Sequence, residues 1–202
     1  SASNSINLYL KNSIFTNNNA YKGIVLLYGS CAQLYNTTFN NNKATITDST
    51  INQKVYGGDG YTEANGNKVT IINSTINDDL QGGIVTNGIA NNNSVKIKNS
   101  LINKNVYGGY VGLNADADNS SAENNTVILD SAVVTGTIYG GYHKSGTATI
   151  KGNTLEVIGT TNAAENIKNF DTLNFFISKD MVNNDVMLTV KDTADIENAT
   201  VK

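Results

Sequence analysis

Apolar residues alternate with polar ones over short stretches of this chain, and the stretches themselves recur. Four blocks align without gaps: ATITDSTINQKVYGG (44–58), VTIINSTINDDLQGG (69–83), VKIKNSLINKNVYGG (95–109) and VILDSAVVTGTIYGG (127–141). Four columns are apolar or alanine in every block. The first holds Ala44, Val69, Val95 and Val127; the third holds Ile46, Ile71, Ile97 and Leu129. The eighth holds Ile51, Ile76, Ile102 and Val134; the twelfth holds Val55, Leu80, Val106 and Ile138. The local spacing of two predicts strands, and no 3.6-residue period persists. The apolar set is mostly β-branched, which favours strand as well.

The second glycines of the blocks, Gly58, Gly83, Gly109 and Gly141, are separated by 25, 26 and 32 residues. Block length is constant and only the connections vary, as in a solenoid that carries its insertions in loops. One turn per repeat, built of short strands and Asn/Gly turns, predicts an all-β parallel β-helix over 1–202 with about 24–32 residues per rung. The clearest repeats span 44–141, and 1–43 and 142–202 hold more degenerate rungs. NSIF (12–15) and NTTF (36–39) resemble NSTI (73–76), but DSTI (48–51) follows NTTF after only 12 residues. That short step fits either a compact rung or a shift of register. Downstream, 154–170 begins like a block and loses the double glycine; 171–177 and 186–190 read as further strands.

Stacking in register has consequences for the polar columns. Asn52, Asn77 and Asn103 share the ninth column and are placed to form an amide ladder. Asp78 meets Lys104 in the tenth, and Lys54 meets Asp79 in the eleventh. The sixth column keeps Ser49, Ser74, Ser100 and Ala132, small residues suited to a tight inward bend. The glycine pairs are expected to turn a corner, where positive φ or close approach of rungs excludes a Cβ. They are not a phosphate loop, because no G-x-x-x-x-G-K-[S/T] follows them.

Composition narrows the function. Charged residues are 15% of the chain, and 34 asparagines fill much of the remainder. All 14 basic residues are lysine and the net charge is −3, so nucleic acid is not an expected partner. Cys31 is the only cysteine, which excludes an intramolecular disulfide and a multi-cysteine metal site; burial as a small apolar residue is expected. No apolar run reaches the roughly 18 residues of a membrane-spanning helix, and the best, 23–28, has strand length. The given residues are not expected to include a signal peptide, and they read as a piece of a longer protein.

Chemistry-bearing residues are sparse. Asp59 with Glu63, Asp78 with Asp79, and Asp116 with Asp118 are the acidic pairs to weigh against the two carboxylates of a glycoside hydrolase. Asp78 and Asp79 sit in variable columns that read as solvated surface. The loop 113–125 offers Asn114, Asp116, Asp118 and Glu123, but lacks the glycine and spacing of an EF-hand. His143, the only histidine, has no neighbour in sequence that forms a triad. No catalytic residue, metal site or cofactor is expected, and the chain reads as a non-enzyme.

The tyrosines are the candidate site. Tyr56, Tyr107 and Tyr139 share the thirteenth column, interrupted by Gln81, and Tyr110 and Tyr142 follow the glycines of two rungs. Each column-thirteen ring follows an interior residue, so alternation points it outward. Stacked rungs then align a partly exposed aromatic stripe, suited to contact with a protein or glycan or, alternatively, to covering the turn.

The N-S/T-x-I/F turns, the VYGG and IYGGY phrases and the tail GNTLEVIGTTNAAENIKNFDTLNF (152–175) resemble the passenger regions of large Gram-negative autotransporter (type V secreted) adhesins. The resemblance implies a right-handed β-helix and export through the outer membrane as unfolded chain. It also implies extracellular display at the bacterial surface and continuity with further passenger and an outer-membrane barrel. The expected function is non-catalytic contact with host or bacterial cell-surface proteins or glycans, with no membrane insertion by this segment. The alternatives are a passive stalk that presents a distal domain, and a polysaccharide lyase or hydrolase.

Overall fold

The computed structural model describes residues 40–112 and 119–202 throughout, and the backbone of five short strands between Tyr9 and Asn40. Cys31, the apolar run 23–28, and Asn114, Asp116 and Asp118 of the acidic loop lie outside the described residues. The molecule is a parallel β-helix. Every strand pairing among the described residues is parallel, and no helix occurs there.

The predicted blocks stack column on column. Ala44 pairs with Val69, Val69 with Val95, and Val95 with Val127, then on to Leu155 and Leu173. The first wall is an eight-stranded sheet containing Lys43–Thr47, Lys68–Ile72, Ser94–Lys98, Thr126–Asp130, Thr154–Ile158 and Thr172–Phe176. A ten-stranded sheet forms the second wall from the short strands Thr50–Ile51, Thr75–Ile76 and Leu101–Ile102 and the strands of the glycine pairs. In one rung these fuse into a single strand, Val133–His143. A third side is carried by the bridges Glu63–Ile89, Ile89–Ser121 and Ser121–Thr149.

The short step near the N-terminus is a shift of register. Ile14–Thr16 pairs with Thr38–Asn40 in a separate sheet, while Asn19–Tyr21 pairs with Lys43–Thr47 on the first wall. NTTF therefore lies on a different side of its rung from NSTI. Asn40 confirms the side, because its amide bonds to Glu63 Oε2 at 3.1 Å and its Oδ1 accepts from the Asn65 N–H at 2.7 Å.

Two corners per rung are made by residues in the left-handed region. Asn41, Gly66, Asn92, Asn124 and Gly152 form one column, with φ of 57, 66, 57, 54 and 71°. Asp48, Asn73, Asn99 and Ser131 form the other, with φ of 50, 48, 46 and 55°. Asparagine and aspartate tolerate this conformation best among residues with a Cβ, which explains why Asn41, Asn73, Asn92, Asn99 and Asn124 stand at the corners. Beside the second corner the small column behaves as expected. Ser74 Oγ accepts from the Ser49 N–H and Ser100 Oγ from the Ser74 N–H, at 3.0 and 2.9 Å.

The residue after the first corner points inward. Asn67, Asn93, Asn125 and Asn153 are each at most 1% exposed. In each step the backbone N–H and the side-chain NH2 of one asparagine donate to Oδ1 of the next, at 2.9–3.2 Å. Asn42 begins this ladder on Asn67, and Asp171 Oδ2 ends it by accepting from the Asn153 N–H. The residue separations along the ladder, 25, 26, 32, 28 and 18, give the rung lengths directly. The 18-residue rung falls below the expected range. From Lys168 the chain passes over Phe170 into Thr172–Phe176 and omits the third side.

The glycine pairs lie within or beside strands of the second wall, at negative φ, rather than in left-handed turns. Their role is close approach. A Cβ on Gly108 would stand 2.4 Å from the Gly140 carbonyl oxygen and 2.7 Å from Asn125 Cβ. One on Gly109 would stand 2.2 Å from the Ala90 carbonyl oxygen and 2.6 Å from Asn125 Nδ2. Both positions face the asparagine ladder, so in-out alternation resets at the pair. Val106 and Val111 are buried on either side, and Tyr107 and Tyr110 lie outside. The ladder and the glycines pinch the interior into two cores. The larger packs Val69, Ile71, Leu80, Val95, Ile97, Val106, Leu129 and Ile138; the smaller packs Ala64, Val85, Ala90, Val111 and Ala122. Each fully buried Val, Leu or Ile contributes about 1.5–3 kcal/mol, available only because a neighbouring rung covers it.

Candidate functional site

The second wall carries the tyrosines, and strand register decides their order. Tyr56 pairs with Gln81, Gln81 with Tyr107, and Tyr107 with Tyr139; Asp59 pairs with Ile84, Ile84 with Tyr110, and Tyr110 with Tyr142. Adjacent parallel strands lie about 4.8 Å apart, so aligned rings must stack. Tyr107 and Tyr139 do so, with centroids 5.1 Å apart and planes 3° from parallel. Tyr110 stands edge-on to Tyr107 at 5.1 Å and 85°, and Tyr142 lies 4.9 Å from Tyr139 at 60°. Tyr110 and Tyr142 are 5.3 Å apart.

Four of the five candidate tyrosines therefore form one cluster on two neighbouring rungs. Tyr56 shares the column but stands beyond Gln81 and is half-buried. Tyr107 is only 7% exposed, because its neighbours cover it; Tyr110, Tyr139 and Tyr142 remain half-buried. The near-parallel stacking of Tyr107 on Tyr139 uses the ring faces between them, so this pair turns its edges outward.

Electrostatics favour the neutral form of two of these phenols, Tyr107 and Tyr110. Burial, reinforced by the nearby Asp79 carboxylate and by Tyr139, pushes the Tyr107 phenol well above its ordinary range, although Asn105 bonds to it. Burial followed by Tyr142 and Asp79 raises Tyr110 in the same direction. These phenols remain protonated donors throughout the physiological range.

The acidic candidates are dispersed. Asp78 binds Lys104 Nζ at 2.9 Å and Asp79 binds Lys54 at 3.1 Å, the pairs that column register predicts. Burial pushes the Asp78 carboxyl upward, but the Lys104 and Asp79 N–H hydrogen bonds and the Lys104 and Lys54 charges outweigh it and hold it below its ordinary value. Glu123 of the loop pairs with Lys151 at 3.5 Å. Asp59 is different: burial alone raises its carboxyl from 3.8 to about 6. One rung on, in the tyrosine column, Gln81 is 2% exposed and its Oε1 is buried without a partner there. His143 occupies the column of Val111, above the smaller core, with Nδ1 buried and likewise unpartnered. No group of three or more His, Cys, Asp or Glu able to hold a metal occurs among the described residues.

Sequence reasoning missed the buried asparagine ladder, although its signal is present. An Asn or Gly followed by Asn, two residues before the first apolar column, recurs as Asn41-Asn42, Gly66-Asn67, Asn92-Asn93, Asn124-Asn125 and Gly152-Asn153. Blocks drawn from the first apolar residue begin two positions too late to include it. No family model matches the chain, and no curated protein or solved structure is similar to it at a significant level.

Proposed function

We propose that this chain is a surface-displayed, non-catalytic binding segment of a bacterial adhesin, in which a rigid β-helix presents the tyrosine cluster to a partner-cell protein or glycan. The observation that carries this reading is the outward cluster of Tyr107, Tyr110, Tyr139 and Tyr142, four phenol rings in mutual contact on the second wall. Aromatic groups with a polar tip concentrate binding energy at protein surfaces. The likeness of the repeats and tail to autotransporter passengers supports export through the outer membrane and extracellular display on the producing cell. The dispersal of Asp78 and Asp79 onto separate lysines supports a non-enzymatic reading over a lyase or hydrolase.

A passive stalk is the second reading, favoured by the 7% exposure of Tyr107, since rings that cover one another serve the fold first. The two readings separate on the outer pair. Replacing Tyr110 and Tyr142 together by Ala should weaken binding of the chain to partner cells by about tenfold while the circular dichroism spectrum is retained. A folded double variant that binds as well as wild type rejects the adhesin reading at this cluster and leaves the stalk.

A further inference from the structure

The third side of the rungs carries a second surface feature, separate from the tyrosine cluster. An open groove of about 320 Å³ crosses three successive rungs and is lined by Tyr61, Thr62, Glu63, Asn87, Ile89 and Asn119. Its floor is set by backbone pairing. The Ile89 N–H donates to the Thr62 carbonyl at 2.8 Å, the Asn87 N–H to the Tyr61 carbonyl at 3.0 Å, and the Ser121 N–H to the Gly88 carbonyl at 3.0 Å. Gly88, also in the lining, has φ of 137°, and a Cβ there would stand 2.1 Å from the Thr62 carbonyl oxygen. Only glycine lets the rungs close to this spacing.

The polar groups of the lining are held in place. Asn40 donates to Glu63 Oε2 at 3.1 Å, which fixes the carboxylate plane and leaves Oε1 as the second acceptor. The Ser120 hydroxyl donates to Asn87 Oδ1 at 3.0 Å, which fixes that amide. The lining thus combines a tyrosine ring and an isoleucine with two primary amides, a hydroxyl and one carboxylate, and contains no lysine. A volume at the small end of ligand sites, with apolar surface and a few oriented polar groups, suits one or two sugar rings. Amides both donate to and accept from hydroxyl groups, a carboxylate accepts from two, and the C–H face of a pyranose packs on an aromatic ring. A single negative charge without a cation disfavours anionic ligands such as phosphates and uronates.

We propose that this groove is a binding site for a neutral saccharide. The inference gives the proposed adhesin reading a ligand class, on a surface distinct from the tyrosine cluster. Its test is titration of the chain with methyl glycosides of galactose, glucose and N-acetylglucosamine, followed by saturation-transfer NMR and calorimetry. At least one should bind, and Asn87→Ala and Glu63→Gln should each weaken it by roughly tenfold with the melting temperature retained. The Tyr110→Ala, Tyr142→Ala double variant should bind that saccharide as wild type does. Absence of binding by all three glycosides overturns the proposal. So does saccharide binding that survives both groove substitutions, or binding only of a cationic amine such as methylammonium. Cell binding measured in parallel keeps the two readings apart, because loss of adhesion in the tyrosine variant is independent of the groove.

Discussion

Two asparagine ladders run along this β-helix, and they teach opposite lessons about the same side chain. The inner one, Asn67 to Asn153, is fully buried and makes two hydrogen bonds per step to a single Oδ1. The outer one, Asn52, Asn77 and Asn103, makes one bond of 2.7 Å per step in contact with water. A buried amide that loses its partner bears the full cost of desolvation, whereas an exposed one exchanges its partner for water. The inner ladder is therefore part of the core in the energetic sense, though it contains no apolar atom beyond Cβ.

The largest effect should come from the middle of the inner ladder. Asn125→Ala removes the acceptor of the Asn93 N–H and Nδ2–H and the side-chain one of the two donors to Asn153 Oδ1, and opens space against Gly109. Two stranded buried donors predict a loss of about 3 kcal/mol or more, read as a lowered urea midpoint. A loss under about 1 kcal/mol would erase the distinction between the ladders.

Asp59 sharpens the comparison from the other direction, as a half-buried carboxyl outside either ladder. Its carboxyl is held up at about 6 by burial, so the folded state retains a proton that the unfolded chain has released above 3.8. The associated stabilisation is complete below pH 3.8 and disappears as pH rises through about 6. At neutral pH the ionised form costs at most about 3 kcal/mol. Asp59→Asn should raise the melting temperature at pH 7.5 and leave it nearly unchanged at pH 4. An equal shift at both pH values would locate the effect outside this proton.

The larger core was legible in the sequence because its columns are apolar in every rung, and Val69, Val95 and Val127 need no partner more specific than another apolar residue. The charge pairs Lys54–Asp79 and Asp78–Lys104 were legible for the same reason: register alone brings them together. The inner asparagines were not, because a polar residue in a polar-rich chain has the same periodicity whether it faces water or the core. Burial there depends on the glycine pairs opposite, and that juxtaposition crosses from one wall to the other. The aromatic stripe was legible as a column, but the covering of Tyr107 depends on the angles of Tyr110 and Tyr142, which spacing does not encode. The groove at Tyr61 and Asn87 belongs to the connections between blocks, whose lengths vary and which carry no repeat to read.

The smallest effect should come from the outer ladder, and it is the control that gives the first its meaning. Asn77 donates to Asn52 Oδ1 and accepts from Asn103 Nδ2, so Asn77→Ala breaks two side-chain hydrogen bonds, as many as a full step of the inner ladder contains. Water reaches both severed partners, since Asn52 and Asn103 are exposed, and strand pairing of Thr75–Ile76 on both sides is untouched. The expected change is under about 0.5 kcal/mol. A loss approaching that of Asn125→Ala would mean that stacking order, rather than desolvation, sets the value of an asparagine ladder; the outer column would then also hold the register of the rungs.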